Sequence, residues 1–64
     1  MEINLYKFKL AIANALITTT DLAEKANVSR TLISNILNGK KSEVQPATVG
    51  KLARALDIKV EDLI

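Results

Sequence analysis

The chain has 64 residues, a net charge of +2 and a hydrophobic content of 48%, so it is one domain near the lower size limit for folding without cross-links. Cysteine and histidine are absent, which excludes disulfide bonds and the usual zinc sites. The chain has only two glycines and one proline, the residues that most often interrupt helices. Their scarcity favours helices with short connections. We therefore expect a single all-α domain over residues 1–64, with an aliphatic core.

Charge is distributed unevenly along the chain. Residues 25–42 include four basic residues and no acid, whereas the last eight residues carry three acids against one lysine. A basic middle and an acidic end suggest a face suited to a polyanion, and ordinary solvated charges would explain the same counts equally well.

The apolar run from Leu10 to Ile17 follows Lys7 and Lys9 and loosely resembles a signal peptide. The run is short, Asn14 interrupts it, and its spacing fits one face of a helix. We interpret it as a helix. Because no segment is long enough to span a bilayer, we expect a cytoplasmic protein with no membrane partner.

The first half of the chain predicts two helices. The first covers residues 4–16, with Asn4 as its cap and a core-facing stripe at Leu5, Phe8, Ile12 and Ala15. The second covers residues 19–26, where Thr18 and Asp21 have the spacing of a capping box.

A short turn separates the second helix from a third. Asn27 tolerates the left-handed backbone that ends a helix, and Ser29 is a strong cap for the next one, over residues 30–38. Gly39 then ends this third helix. Two short helices joined by three residues must turn sharply, as in a helix-turn-helix.

The last third of the chain predicts two more helices after a polar loop at residues 40–44. Pro46 opens the fourth helix, which we expect to end near Asp57. A short fifth helix is expected at residues 60–63. The predicted fold is therefore a compact bundle of five helices.

Residues 22–39 (LAEKANVSRTLISNILNG) and residues 52–63 (LARALDIKVEDL) resemble the phage repressor, Cro and xenobiotic-response-element regulator family, the lambda repressor-like helix-turn-helix proteins. The first segment resembles that family's second and third helices, and the second segment its fourth and fifth. The resemblance implies a sequence-specific regulator of transcription, by family default a repressor, that binds a double-stranded DNA operator. No cofactor, metal or catalytic residue is implied.

The same resemblance implies roles for individual residues, with the helix at 30–38 lying in the major groove. Base contacts are expected from Arg30, Thr31, Ser34 and Asn35. Arginine can contact guanine, asparagine can contact adenine, and threonine can offer its hydroxyl or its methyl group to thymine. Phosphate contacts are expected from Thr19, Asn38, Lys40 and Lys41.

Three positions depart from the family pattern. Relatives often carry arginine at the position of Ile12, glutamate at that of Leu37 and glycine at that of Asn27. The first two changes make the chain more apolar and predict an exposed hydrophobic patch. The third is conservative for the backbone, and none removes the docking surface.

Relatives commonly bind inverted repeats as homodimers, and the apolar tail residues Leu63 and Ile64 are the expected dimer surface. The chain is either a whole Cro-like regulator or the N-terminal domain of a longer repressor. A second interpretation is a protein-interaction module, such as an antitoxin bound to a toxin or a regulator bound by a protein antagonist. Exposed apolar residues would support that role, and the candidates are Leu32, Leu37, Leu63 and Ile64. An enzyme has no support in the sequence.

Overall fold

A computed structural model describes all 64 residues and contains four α-helices followed by one turn of 3-10 helix. In chain order the elements are α1 (Leu5–Ala15), α2 (Thr19–Ala26), α3 (Arg30–Leu37), α4 (Pro46–Ala55) and the 3-10 turn (Val60–Asp62). The all-helical class is therefore confirmed. None of these helices has the length and hydropathy that crossing a membrane requires.

The first three helices begin at the caps that the sequence predicts. Side-chain oxygens of Asn4, Thr18 and Ser29 accept the amide hydrogen three residues further on, at 3.0, 3.1 and 3.0 Å. Each bond satisfies an amide that would otherwise lack a partner in the first helical turn. The start of each helix is thus determined by its local sequence.

Left-handed residues mark the connections between the helices. Asn27 has φ 58° and Gly39 has φ 76°, as expected of the residues that stop α2 and α3. Leu16 has φ 52° and Asp57 has φ 57°. Because Asp57 already has this conformation, α4 ends at Ala55 rather than near residue 57.

The predicted fifth helix is not formed as an α-helix. The amides of Asp62 and Leu63 donate to the carbonyls of Lys59 and Val60 at 3.0 and 2.8 Å, which is the i to i+3 pattern of a 3-10 turn. The amide of Lys59 also donates to the carboxylate of Asp62 at 3.2 Å. The tighter turn brings Leu63 into the core, where its side chain is fully buried.

The core is built only from apolar side chains, and no polar or charged residue is buried. Its 15 members are Ile3, Phe8, Ala11, Leu22, Ala23, Ala26, Ile33, Ile36, Val44, Val49, Leu52, Ala53, Ala55, Leu56 and Leu63. Apolar residues of α2 and α4 are among them, and helix α2 packs against both α3 and α4. Ala15, which ends the predicted stripe of α1, is exposed.

The N-terminal segment lies against the loop between α3 and α4. The amide of Ile3 donates to the carbonyl of Ser42 at 2.8 Å. The amide of Val44 donates to the carbonyl of Met1 at 2.7 Å. Ile3 and Val44 are both buried. This pairing adds a short extended contact to the helical bundle and fixes the loop in place.

The expected dimer surface at the tail requires a correction. Leu63 is 0% exposed, and its carbonyl accepts the amide of Asn4 at 2.7 Å, so it cannot contact a partner in this fold. Its apolar character is explained by packing. Ile64 is 44% exposed and is the part of the tail that remains at the surface.

Replacing Leu63 with alanine tests its place in the core. We expect Leu63→Ala to lower the free energy of unfolding by about 2–5 kcal/mol, the usual cost of a large-to-small change in a core. Ile64→Ala, the matched control at the next residue, should cost less than about 1 kcal/mol. Urea unfolding at low temperature measures both changes, and similar losses for the two variants would contradict the structure.

Alanine substitutions at two serines, one before α3 and one within it, test the N-terminal cap of α3. Ser29→Ala removes the acceptor for the amide of Leu32 and should lower the free energy of unfolding by about 1 kcal/mol. Ser34→Ala changes an exposed serine within the same helix and should alter it by no more than about 0.5 kcal/mol. Urea unfolding monitored by circular dichroism gives both values, and an equal loss would exclude the capping role.

Candidate nucleic-acid interface

The connection between α2 and α3 is a short turn held by backbone hydrogen bonds. The amide of Val28 donates to the carbonyl of Ala23 at 3.0 Å, and that of Asn27 donates to the carbonyl of Glu24 at 3.2 Å. Ser29 then caps α3. This sequence of bonds fixes the direction in which α3 leaves α2, and helix α3 therefore has a defined orientation.

Helix α3 has one buried and one exposed face. Ile33 and Ile36 are in the core, and Leu37 packs partly against it. The opposite face is polar, and its exposed members are Arg30, Thr31, Ser34 and the capping residue Asn38. Four of the residues predicted to contact DNA thus lie on the solvent side of α3.

An open depression lies between the first turns of α2 and α3. It is lined by Thr19, Thr20, Arg30, Thr31 and Ser34, with no hydrophobic residue. The structure therefore brings the predicted phosphate contact at Thr19 beside three of the predicted base contacts. Thr20 was not predicted, because helical periodicity alone does not show which side of α2 adjoins α3.

Asn35 is half-buried and anchors the loop that follows α3. Its carbonyl accepts the amides of Lys40 and Lys41 at 2.9 and 3.1 Å. One turn further along α3, the side-chain amide of Asn38 donates to the hydroxyl of Ser34 at 3.4 Å. Both lysines are exposed, and their backbone is held against the last turn of α3.

A second depression lies on the other side of α3, towards α4. Its lining includes Leu32, Lys41, Gln45, Pro46 and Thr48. The side chain of Gln45 makes no capping bond at the start of α4, so its amide is free to contact another molecule. Gln45 and Thr48 were not predicted as site residues, because the loop conformation that brings α4 beside Leu32 has no signature in the sequence.

The basic side chains around α3 have no acidic partner. The chain's one ion pair joins the N-terminal ammonium group of Met1 to Glu43, at 3.1 Å. Arg30, Lys40 and Lys41 are therefore available to an external anion. The exposed N-terminal turn of α3 adds the positive end of a helix dipole to the same surface.

The apolar departures from the family pattern do not form the exposed patch that they predict. Ile12 and Leu37 are both partly buried and pack against the core, as does Leu32. The leucines at 32 and 37 therefore offer less free surface to a protein partner than the sequence suggests. Nor does any group of three or more acidic side chains converge at a metal-binding spacing.

Comparison with known proteins agrees with this geometry. The family model described as "Helix-turn-helix" matches residues 10–63, which include all four helices except the first turns of α1. Over 48 residues, 75% of this chain, the sequence is 46% identical to the HTH-type transcriptional repressor RghR of Bacillus subtilis (strain 168). The match spans 36% of that relative's length. No solved structure matches.

The family match extends over most of the chain and includes the capped α3, the turn before it and the α4 region. The sequence resemblance, the fold and the relative all indicate the same class. The chain belongs to the lambda repressor-like helix-turn-helix family of DNA-binding transcription regulators.

Proposed function

We propose that this chain binds a specific operator in double-stranded DNA through α3 and acts as a transcriptional repressor. The observation that carries the proposal is the polar depression between α2 and α3, where Thr19, Arg30 and Thr31 converge on an open surface without any hydrophobic lining. Such a surface has the chemistry of a major-groove contact, since its side chains can form hydrogen bonds with base edges. The repressor role is supported by the similarity to RghR, which is a transcriptional repressor.

In this proposal the residues divide into two groups. Arg30, Thr31, Ser34 and Asn35 contact base edges and select the sequence. Thr19, Asn38, Lys40 and Lys41 contact phosphates, which fix the register and supply most of the affinity. Asn35 has a smaller exposed surface than the other three base-contacting residues, so its contact requires α3 to lie deep in the groove.

The operator is proposed to be an inverted repeat bound by two copies, with half-site centres about 34 Å apart. A single 64-residue domain contacts too few bases to distinguish one site among the competing sites of a genome. Two copies on one face of the duplex roughly double the number of base contacts. This proposal concerns the complex with DNA and does not depend on how the copies touch.

Selection from a pool of random duplexes tests base recognition. We expect the native chain to enrich a palindromic motif, and Arg30→Ala to relax the preference at one or two positions in each half-site, at about 1–3 kcal/mol per lost contact. Lys51→Ala, which removes an exposed cation from α4, is the matched control and should leave the motif unchanged. Enrichment of no motif at low salt would reject the proposed function.

Salt titration tests the phosphate contacts. Lys41→Ala should weaken binding to every sequence by a similar factor and reduce the slope of log K against log salt by about 1. The slope for Arg30→Ala should change as well, but with a change of sequence preference that Lys41→Ala lacks. Fluorescence anisotropy on the selected duplex and on an unrelated one separates the two classes of residue. A sequence-dependent effect of Lys41→Ala would move it into the base-contacting group.

A further inference from the structure

A depression without any residue of α3 lies where the C-terminal ends of α1, α2 and α4 meet. Its lining comes from the C-terminal half of α1, the connection after it, the last turn of α2 and the end of α4: Ala11, Asn14, Ala15, Ile17, Lys25, Ala55, Leu56, Asp57 and Ile58. Its volume is about 400 Å³, within the range of pockets that hold small molecules. None of these residues takes part in the proposed contact with DNA.

The floor of this depression is apolar and its rim is mostly polar. The floor consists of hydrophobic side chains that the fold buries wholly or in part: Ala11, Ile17, Ala55, Leu56 and Ile58. The exposed rim carries Asn14, Lys25 and Asp57 together with the small Ala15. An apolar floor with a few convergent polar groups is the usual composition of a small-molecule site.

The polar side chains of the rim have no partner within the chain. No side-chain hydrogen bond involves Asn14, Lys25 or Asp57, and the chain's one ion pair lies elsewhere. Lys25 and Asp57 therefore line the same depression with opposite charges and do not pair across it. A ligand that carries both a cationic and an anionic group complements this arrangement.

Asp57 stands where the fold itself disfavours a carboxylate. It follows the end of α4, and the C-terminus of a helix carries a partial negative charge that repels an anion. Its backbone has φ 57°, a helix-ending conformation that glycine or asparagine usually supplies. A bound cation would relieve this repulsion, and the partially negative ends of α1 and α2 would attract it as well. Lys25 is the one positive side chain of the lining and faces the ligand's anionic group.

A neighbouring depression along α1 shows the contrasting case, in which the chain satisfies its own charges. Its lining includes Lys7 and Asp62. The ammonium group of Lys7 donates to the carbonyl of Ile64 at 3.0 Å. The carboxylate of Asp62 accepts the backbone amide of the residue three positions earlier at 3.2 Å. Both charges are thus free only in the depression that holds Lys25 and Asp57.

We propose that this depression binds a small zwitterion with an aliphatic body, of the chemical class of the branched aliphatic amino acids. The ammonium group of the ligand lies at Asp57 and its carboxylate at Lys25. Its aliphatic part lies against the half-buried Ile17 and Ile58. Because both charged side chains are exposed, water screens their pairing with the ligand. We therefore expect a dissociation constant in the millimolar range.

An NMR titration of the isotope-labelled chain with L-leucine, without DNA, tests the proposal. The backbone amides of Ala15, Asp57 and Ile58 should show saturable shifts. Two analogues each lack one charge, since leucinamide has no carboxylate and isocaproate has no ammonium group. Each should bind about fivefold more weakly or less, because one charge-assisted contact is lost. No saturable shift with leucine, or equal affinity for leucine and both analogues, would overturn the proposal.

Lys25→Met and Asp57→Asn test the two charges from the side of the chain. Each should weaken the binding of leucine about fivefold. Lys25→Met should also lose the preference for leucine over leucinamide, and Asp57→Asn the preference for leucine over isocaproate. Lys51→Met and Glu61→Gln remove exposed charges outside the depression and should leave the affinity unchanged. Equal losses in these controls would show non-specific electrostatic attraction and contradict the site.

A change of shape without a change of charge tests the location. Ala15→Leu fills the rim of the depression and should weaken the binding of leucine, whereas Ala13→Leu makes the same change at an exposed position of α1 outside it and should not. Thermal unfolding provides the second readout, because a ligand that binds only the folded chain raises the denaturation midpoint. Leucine should raise the midpoint of the native chain and of Ala13→Leu more than that of Ala15→Leu. Equal behaviour of the two leucine variants would overturn the proposal, and no outcome depends on the proposed function, because DNA is absent throughout.

Discussion

The arrangement of the molecule depends on the sharp turn between α2 and α3. Asn27 adopts the left-handed conformation, Val28 donates back into α2, and Ser29 caps the next helix. These local bonds bring the first turns of α2 and α3 together at one depression. The apolar side chains beneath, among them Leu22 and Ile33, hold this orientation because any change of angle would open a cavity in a densely packed core.

Features of the fold that depend on nearby residues could be predicted from the sequence, and those that depend on distant pairs could not. Caps, helix stops and apolar stripes all act within one or two helical turns, so their signals are local. The pairing of Ile3 with Ser42 joins residues far apart in the chain. The spacing of apolar residues along the sequence does not predict such a contact. Leu63 was misplaced for the same reason, because an apolar residue near a chain end looks identical whether it faces solvent or the core.

The candidate site follows the same division. Arg30, Thr31 and Ser34 could be assigned to one polar face because they share a short helix with a clear buried side. Their proximity to Thr20, and that of Leu32 to Gln45, depends on how separate helices pack, which the sequence does not encode in any local pattern. Ile12 was predicted both in the core-facing stripe of the first helix and in an exposed patch, and its packing against the core agrees with the stripe.

The contact between the segment before α1 and the residues after the 3-10 turn determines when this domain can finish folding during synthesis. Asn4 bonds to Leu63, and Ile3 bonds to the loop that carries Lys40 and Lys41. Synthesis proceeds from the N-terminus, so Ile3 and Phe8 emerge long before their last packing partner exists. The turn between α2 and α3 can form early from local contacts. The complete core requires residue 63 to emerge from the ribosome, because Leu63 is one of its fully buried members.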